Sequence, residues 1–350
     1  FGGGNFTSSG KEGNIWYFGQ HAGLDFNSGS PVAITDGQLV TDEGCSSISD
    51  YNGDILFYTD GTSVYNRNHA IMPWFTLNPT GLLGSSTSTQ SAIIIKKPAS
   101  STIYYIFTVA LGAGVNYYEV NMALDGGLGD INGSNAQGVP GTCEKITAIK
   151  KQNGIDYWLI TATQTSFHVF EVTTSGVHLP ATSITLNPVH TYGYLVASVD
   201  GSRIAVANYT ASTIDIYDFN NATGQISNPI QLFITFNTTN NRVYGLCFSP
   251  SGDLLYASPD ENPGDIFQYN LLAGNVNDIQ ASVQNIGSCF GCSSGALMLG
   301  PDNKIYQAKC NTSTLGVINN PDLLYPGCNY NSSGVDLYGK LCRWGLPTFY

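Results

Sequence analysis

The sequence predicts an all-β fold, a seven-bladed β-propeller closed into one ring, on three observations. One motif recurs six times along the 350 residues at a nearly constant spacing. Each copy reads as several short strands joined by turn dipeptides. The two chain ends hold complementary parts of a seventh copy.

The motif is a turn, an apolar strand, a short link and a second strand. Its copies are NGDILFYTDGTSVYNRN, SSTIYYIFTVALGAGVNYYEV, NGIDYWLITATQTSFHVFEV, DGSRIAVANYTASTIDIYDFN, SGDLLYASPDENPGDIFQYN and PDNKIYQAKCNTSTLGVINN. Their first strands enter near Ile55, Ile103, Tyr157, Ile204, Leu254 and Ile305, at spacings of 48, 54, 47, 50 and 51 residues. That period fits four-stranded propeller blades. A shorter apolar strand precedes each copy: CSSIS, SAIIIKK, KITAIKK, YLVASVD, YGLCFSP and ALMLGP. NG, DG and SG dipeptides lead several of these into the next strand, a hairpin signal. Each blade therefore reads as an inner strand, two middle strands and a variable outer strand.

The seventh blade is split. KEGNIWYFGQHAGLDF matches the middle of a copy, and Pro31 to Asp36 supplies an outer strand. Its inner strand is missing, while LCRWGLPTFY at the other end resembles an inner strand with nothing after it. Trp16, Tyr17 and Phe18 are expected to pair with Leu346 to Phe349, which closes the ring and removes open sheet edges. This divides the chain into a Gly-rich tail, residues 1–13, and a single propeller, residues 14–350. A β-helix and paired β-sandwiches rank below it, since a sandwich does not require the termini to complete one repeat. No sustained helical apolar period is present.

Charged residues make up 11% of the chain, against about 25% in ordinary domains. The formal net charge of -12, with 13 Lys and Arg, argues against nucleic acid, which needs basic patches. It argues equally against anionic membrane surfaces. No run of about 20 apolar residues exists, so no transmembrane helix and no membrane insertion are expected. A chain starting at Phe1 without a signal peptide reads as mature and processed. Eight cysteines in such a chain point to an oxidising, extracellular compartment and to at least two disulfides. Cys328 and Cys342 flank the last loop before the closing strand and form the best single pair. Cys289 and Cys292 also suit a loop disulfide: no second ligand pair supports zinc, and no βαβ context supports a thioredoxin-like motif. Cys247, in an apolar strand, reads as core.

Several stretches carry a family resemblance: WYFGQHAGLDFNSGSPVAITDG, EGCSSISDYNGDILFYTDG, VYNRNHAIMP, STQSAIIIKKP, MALDGGLGDI, GALMLGPDNKIY, LGVINNP and GLPTF. Together they are similar to the N-terminal propeller of large cell-surface proteins of Bacteroidota exported by the type nine secretion system. The resemblance spans nearly the whole chain and implies secretion, surface attachment, and roles in adhesion or gliding. Family members often carry further repeats and a C-terminal sorting domain, whereas this chain stops at Tyr350.

Chemistry-bearing constellations are sparse. The five histidines lack the i, i+4 spacing of a helical zinc motif, and His168, within FHVFEV, reads as structural. Asp260, Glu261 and Asp265 offer hard oxygen ligands for calcium, but their loop departs from the EF-hand pattern and polar turns use the same letters. No other cofactor is expected. Sequons at Asn5, Asn132, Asn208, Asn221, Asn237, Asn311 and Asn331 mark surface turns in this layout, with glycan occupancy left open. A nucleophile elbow is absent. RIAVANYTASTIDIYDFN and LLYASPDENPGDIFQYN resemble lactonase-like propellers. Such an enzyme needs carboxylates, Asn or His around the channel, and the inner strands offer small residues instead: Ser46, Ala92, Ala148, Ala197 and Ala296.

The expected function is therefore a secreted, non-enzymatic propeller with no catalytic residue, binding a protein or glycan at the cell surface. One alternative is a structural subunit that assembles into an extracellular filament or array. The second is a lactonase-like, metal-dependent hydrolase. Phe1 and Phe6 are the large apolar groups of the tail, and burying one is worth about 1.5–3 kcal/mol. They are candidate contacts with a second copy, or with the chain's own seventh blade.

Overall fold

The computed structural model describes residues 10–133, 136, 137, 139, 141–184, 187–234 and 242–350. Seven antiparallel sheets succeed one another along the chain and form the blades of a seven-bladed propeller. Blade 1 holds Ser46–Ser49, Ile55–Thr59 and Val64–Asn66. Blade 2 holds Ala92–Lys96, Ile103–Ala110 and Gly114–Asn121, with two short outer pieces. Blade 3 is built the same way from Ile146–Lys150, Tyr157–Ala162 and Ser166–Thr173. Blade 4 holds Leu195–Ala197, Arg203–Asn208, Thr213–Asn220 and Gln225–Phe233. Blade 5 holds Val243–Phe248, Leu254–Pro259, Gly264–Asn270 and Gln284–Cys289. Blade 6 holds Ser294–Leu299, Ile305–Lys309, Thr314–Ile318 and Tyr330–Asp336. Blade 7 takes Ile15–Phe18, Ala22–Asp25 and Val32–Ile34 from the N-terminal end.

The unbroken apolar strands are explained by burial on both faces. Successive side chains of a strand point to opposite sides. In blade 2, Ile94, Tyr104 and Ile106 pack with Ile48 and Phe57 of blade 1. Their sequence neighbours Ile93, Tyr105 and Phe107 pack with Ile146, Leu159 and Phe170 of blade 3. Each blade is thus sandwiched between two others. The small inner-strand residues Ser46, Ala92, Ala148 and Ala296 are all buried.

Ring closure differs from the sequence expectation. Trp16, Tyr17 and Phe18 pair outward with Leu24, Gly23 and Ala22, and no ladder joins them to Leu346–Phe349. The closing segment, residues 341–349, spends its backbone groups on blades 6 and 1. Cys342 N donates to Thr312 O at 2.8 Å, and Trp344 O accepts from Ala296 N at 2.8 Å. Trp344 N donates to Asp42 O at 2.9 Å, and Thr348 N to Cys45 O at 2.8 Å. Blade 7 receives a single bond, Gln20 N to Leu341 O at 2.8 Å. Amides already satisfied elsewhere have nothing left for a ladder. Side chains make up the contact: Leu346 is fully buried, and the Phe349 ring lies 5.8 Å from Trp16. Gly345 permits this fit, because a Cβ there would strike the Glu43 carbonyl.

Local chemistry accounts for the one α-helix among the described residues, Val276–Ala281. Asn275 caps it and Asp278 completes a capping box. The sequon reading needs two corrections. Asn331 lies in the exposed outer strand Tyr330–Asp336, not in a turn. Asn208 is 1% exposed and donates to Asp215 at 2.7 Å, so it is no surface turn. Asn5, Asn237, Phe1 and Phe6 lie outside the described residues.

Candidate active site at the ring mouth

The residues just before each inner strand converge on one end of the ring. Their backbones bond from blade to blade around the opening. Gly44 N donates to Ser88 O at 2.9 Å, Gln90 N to Glu144 O at 3.3 Å, and Glu144 N to Thr191 O at 3.0 Å. Tyr194 N donates to Tyr244 O at 2.8 Å, the Ser258 hydroxyl of blade 5 donates to Gly295 O of blade 6 at 2.6 Å, and the closing segment links Ala296 through Trp344 to Asp42. This hoop fixes the side chains that stand on it.

Four carboxylates stand there. The charges of Glu144, Asp260 and Asp42 all act on Glu43. The Tyr244 hydroxyl donates to Glu43 Oε1 at 3.0 Å. Burial, then the neighbouring Glu144, pushes the Glu43 carboxyl up to about 8. Glu144 is itself buried and raised, and it accepts from Thr89 N at 2.9 Å and Thr89 Oγ1 at 3.2 Å. Asp260 is raised by burial while accepting from the Tyr209 hydroxyl at 2.6 Å. A carboxyl that stays protonated near neutral pH beside ionisable neighbours is the arrangement general acid–base chemistry needs.

The cations of the rim serve the scaffold. Lys145 is fully buried, and its amine donates to the carbonyls of Tyr192 at 2.6 Å, Ala207 at 2.9 Å and Gly193. Burial pulls it down to about 7. Arg343 binds Asp42 through Nε at 2.8 Å and Nη2 at 2.7 Å. Aromatic rings fill the space between blades: Tyr244 stands 5.6 Å from Tyr194 and 6.2 Å from Trp344, and Tyr192 stands 5.8 Å from Tyr209.

The sequence-derived candidates fare unevenly. Cys289 and Cys292 are joined as a disulfide. Cys328 and Cys342 are not. Cys328 packs with Cys247 and Tyr256 between blades 5 and 6, whereas Cys342 packs with Cys45 in a different cluster. The other six cysteines are free and buried, so one disulfide stands where at least two were expected. Cys247 is core, as its strand implied. The calcium candidates are dispersed: Asp260 faces Tyr209, and Asp265 accepts from Ser288. Among the described residues no group of three or more His, Cys, Asp or Glu is placed to hold a metal ion. His168 sits buried in its strand.

Glu43, Glu144, Lys145 and Tyr244 escaped the sequence reading, which stopped at the inner strands themselves. A signal was available. DEGCS, TQSA, CEKI, YGYL and RVYG each place polar or aromatic residues at or directly before the start of an inner strand, and equal positions in a ring of repeats share one rim.

No protein-family model matches the chain, and no curated protein does. Solved structures do resemble it. One is a candidate 6-phosphogluconolactonase from Bacteroides fragilis, with TM-score 0.55 and 12% identity over 97% of this chain and 98% of that one. A second, from Bacteroides uniformis, has TM-score 0.54 and 12% identity over 93% and 98%. A protein from Lactobacillus plantarum has TM-score 0.52 and 14% identity over 95% and 98%. At such identity the likeness shows the fold. The expectation of a non-enzyme is corrected on two findings: two neighbours matched over nearly their whole length are named as candidate 6-phosphogluconolactonases, and the carboxylate cluster judged missing is present at the mouth.

Proposed function

We propose that this propeller is a hydrolase that opens a sugar lactone, or a comparable cyclic ester, at the ring mouth. The observation that carries this is the convergence of Glu43, Glu144 and Asp260 on one hoop, with Glu43 held by Tyr244 and kept protonated near neutral pH. The lactonase names of two solved neighbours point the same way. Ionised Asp260 takes a proton from water, whose oxygen bonds to the lactone carbonyl carbon. The bond from that carbon to the ring oxygen then breaks, and Glu43 gives its proton to the departing oxygen. Glu144 keeps Glu43 protonated and is itself positioned by Thr89.

A pH-stat assay on δ-gluconolactone tests this. The purified chain is expected to exceed spontaneous hydrolysis, and Glu43→Gln and Asp260→Asn are each expected to lower turnover about 10²–10⁴-fold. A rate equal to background, or full activity in both variants, would sink the proposal. The Cys289–Cys292 disulfide and the low charge support an extracellular setting for this chemistry; finding the chain in the cytoplasm of its source cells would refute that setting.

A further inference from the structure

Resting on the lactone chemistry just proposed, we infer that the mouth selects an uncharged, polyhydroxylated lactone and rejects its phosphorylated ester. Recognition of a phosphate calls for a free guanidinium fork or ammonium aimed into the site. Among the described residues, Arg343, Lys145 and Lys309 of the rim are committed elsewhere. Arg343 is held by Asp42 through two nitrogens and by Asn311 through the third. Lys145 is buried against three carbonyls. Lys309 donates to Thr314 Oγ1 at 2.7 Å and to the Ser332 carbonyl. Arg242 is exposed, but it lies over the Tyr209 ring at 5.4 Å, with Asp260 and Glu261 acting on it.

What faces an entering ligand is therefore acidic and aromatic. Asp42, Glu144 and Asp260 would repel a phosphate dianion at this partly buried rim, where charge interactions exceed their strength in water. Tyr192, 42% exposed, and the half-buried Tyr209 and Trp344 offer flat faces to the apolar side of a sugar ring. An uncharged polyol ester can hydrogen-bond the carboxylates without that repulsion.

The test compares δ-gluconolactone with its 6-phosphate ester on the same protein. The neutral lactone is expected to show kcat/KM at least about tenfold higher, with the gap narrowing as salt rises. Asp42→Asn, which removes one carboxylate and frees the Arg343 fork, is expected to shift the ratio several-fold toward the ester. A preference of the wild-type chain for the ester would overturn the selection and leave the hydrolase proposal standing. Hydrolysis of neither compound would overturn the hydrolase proposal instead. Selection would then be decided by tryptophan-fluorescence titration with both compounds. Tighter binding of the neutral one supports it. Tighter binding of the ester, or binding of neither, overturns it.

Discussion

Half-buried Glu43 and buried Lys145 on the hoop give the chain opposite responses to pH. Glu43 is raised from its usual 4.5 to about 8. Between those values the folded chain keeps a proton that the unfolded chain has released, so stability falls as pH rises through this window. Lys145 is lowered from 10.5 to about 7. Above 7 the unfolded chain binds the extra proton, so its contribution rises with pH up to about 10.5. Glu43→Gln keeps an oxygen for Tyr244 and carries no charge. Its melting temperature is expected to match the wild type at pH 5 and to exceed it at pH 8; equal melting at both pH values would refute the assignment. Lys145→Met leaves three buried carbonyls without their donor and is expected to cost about 2–4 kcal/mol in urea unfolding at pH 8.

Individual strands were legible because each lies between two blades and repeats at a fixed spacing, so its apolar run and turn dipeptides carry the information locally. The closing segment, read as a strand, makes only isolated bridges, and its partners were not legible either. Its amides pair with Thr312, Asp42 and Cys45, and nothing in LCRWGLPTFY names those residues. Gly345 tests the segment's seating. Gly345→Ala drives a methyl into the Glu43 carbonyl and is expected to lower stability by about 1–3 kcal/mol and to disturb Glu43. Unchanged melting and activity would show that the hoop is slack there. At the Cys289–Cys292 loop, Phe290 stands 88% exposed at the tip. Peptide mapping without reduction is expected to recover a Cys289–Cys292 link and no Cys328–Cys342 link.

At the scale of the whole ring, the closing segment is a keystone between first and last complete blades. It also covers Trp16 and Cys45, both fully buried. Removal of residues 341–350 would break the hoop at Trp344 and expose the apolar face of blade 7. The truncated chain is expected to lose cooperative melting and to aggregate in light scattering. Monodisperse, cooperatively melting material would disprove the keystone role, whatever its activity.

Blade number, blade order and the meeting of both chain ends at the seventh blade followed from the sequence by itself. Strand period and turn chemistry act between near neighbours, and six in-phase repeats leave one incomplete copy at the termini. The mouth was decided by tertiary structure. Tyr244 meets Glu43 across 201 positions of chain, Arg343 meets Asp42 across 301, and Thr89 meets Glu144 across 55. The cysteine partners were decided in the same way, with Cys328 and Cys342 paired in the sequence reading yet packed into different clusters. A linear pattern shows which face of a strand is buried. Which carboxyl loses its water to which neighbour depends on how the seven blades close, and that closure is a property of the folded ring.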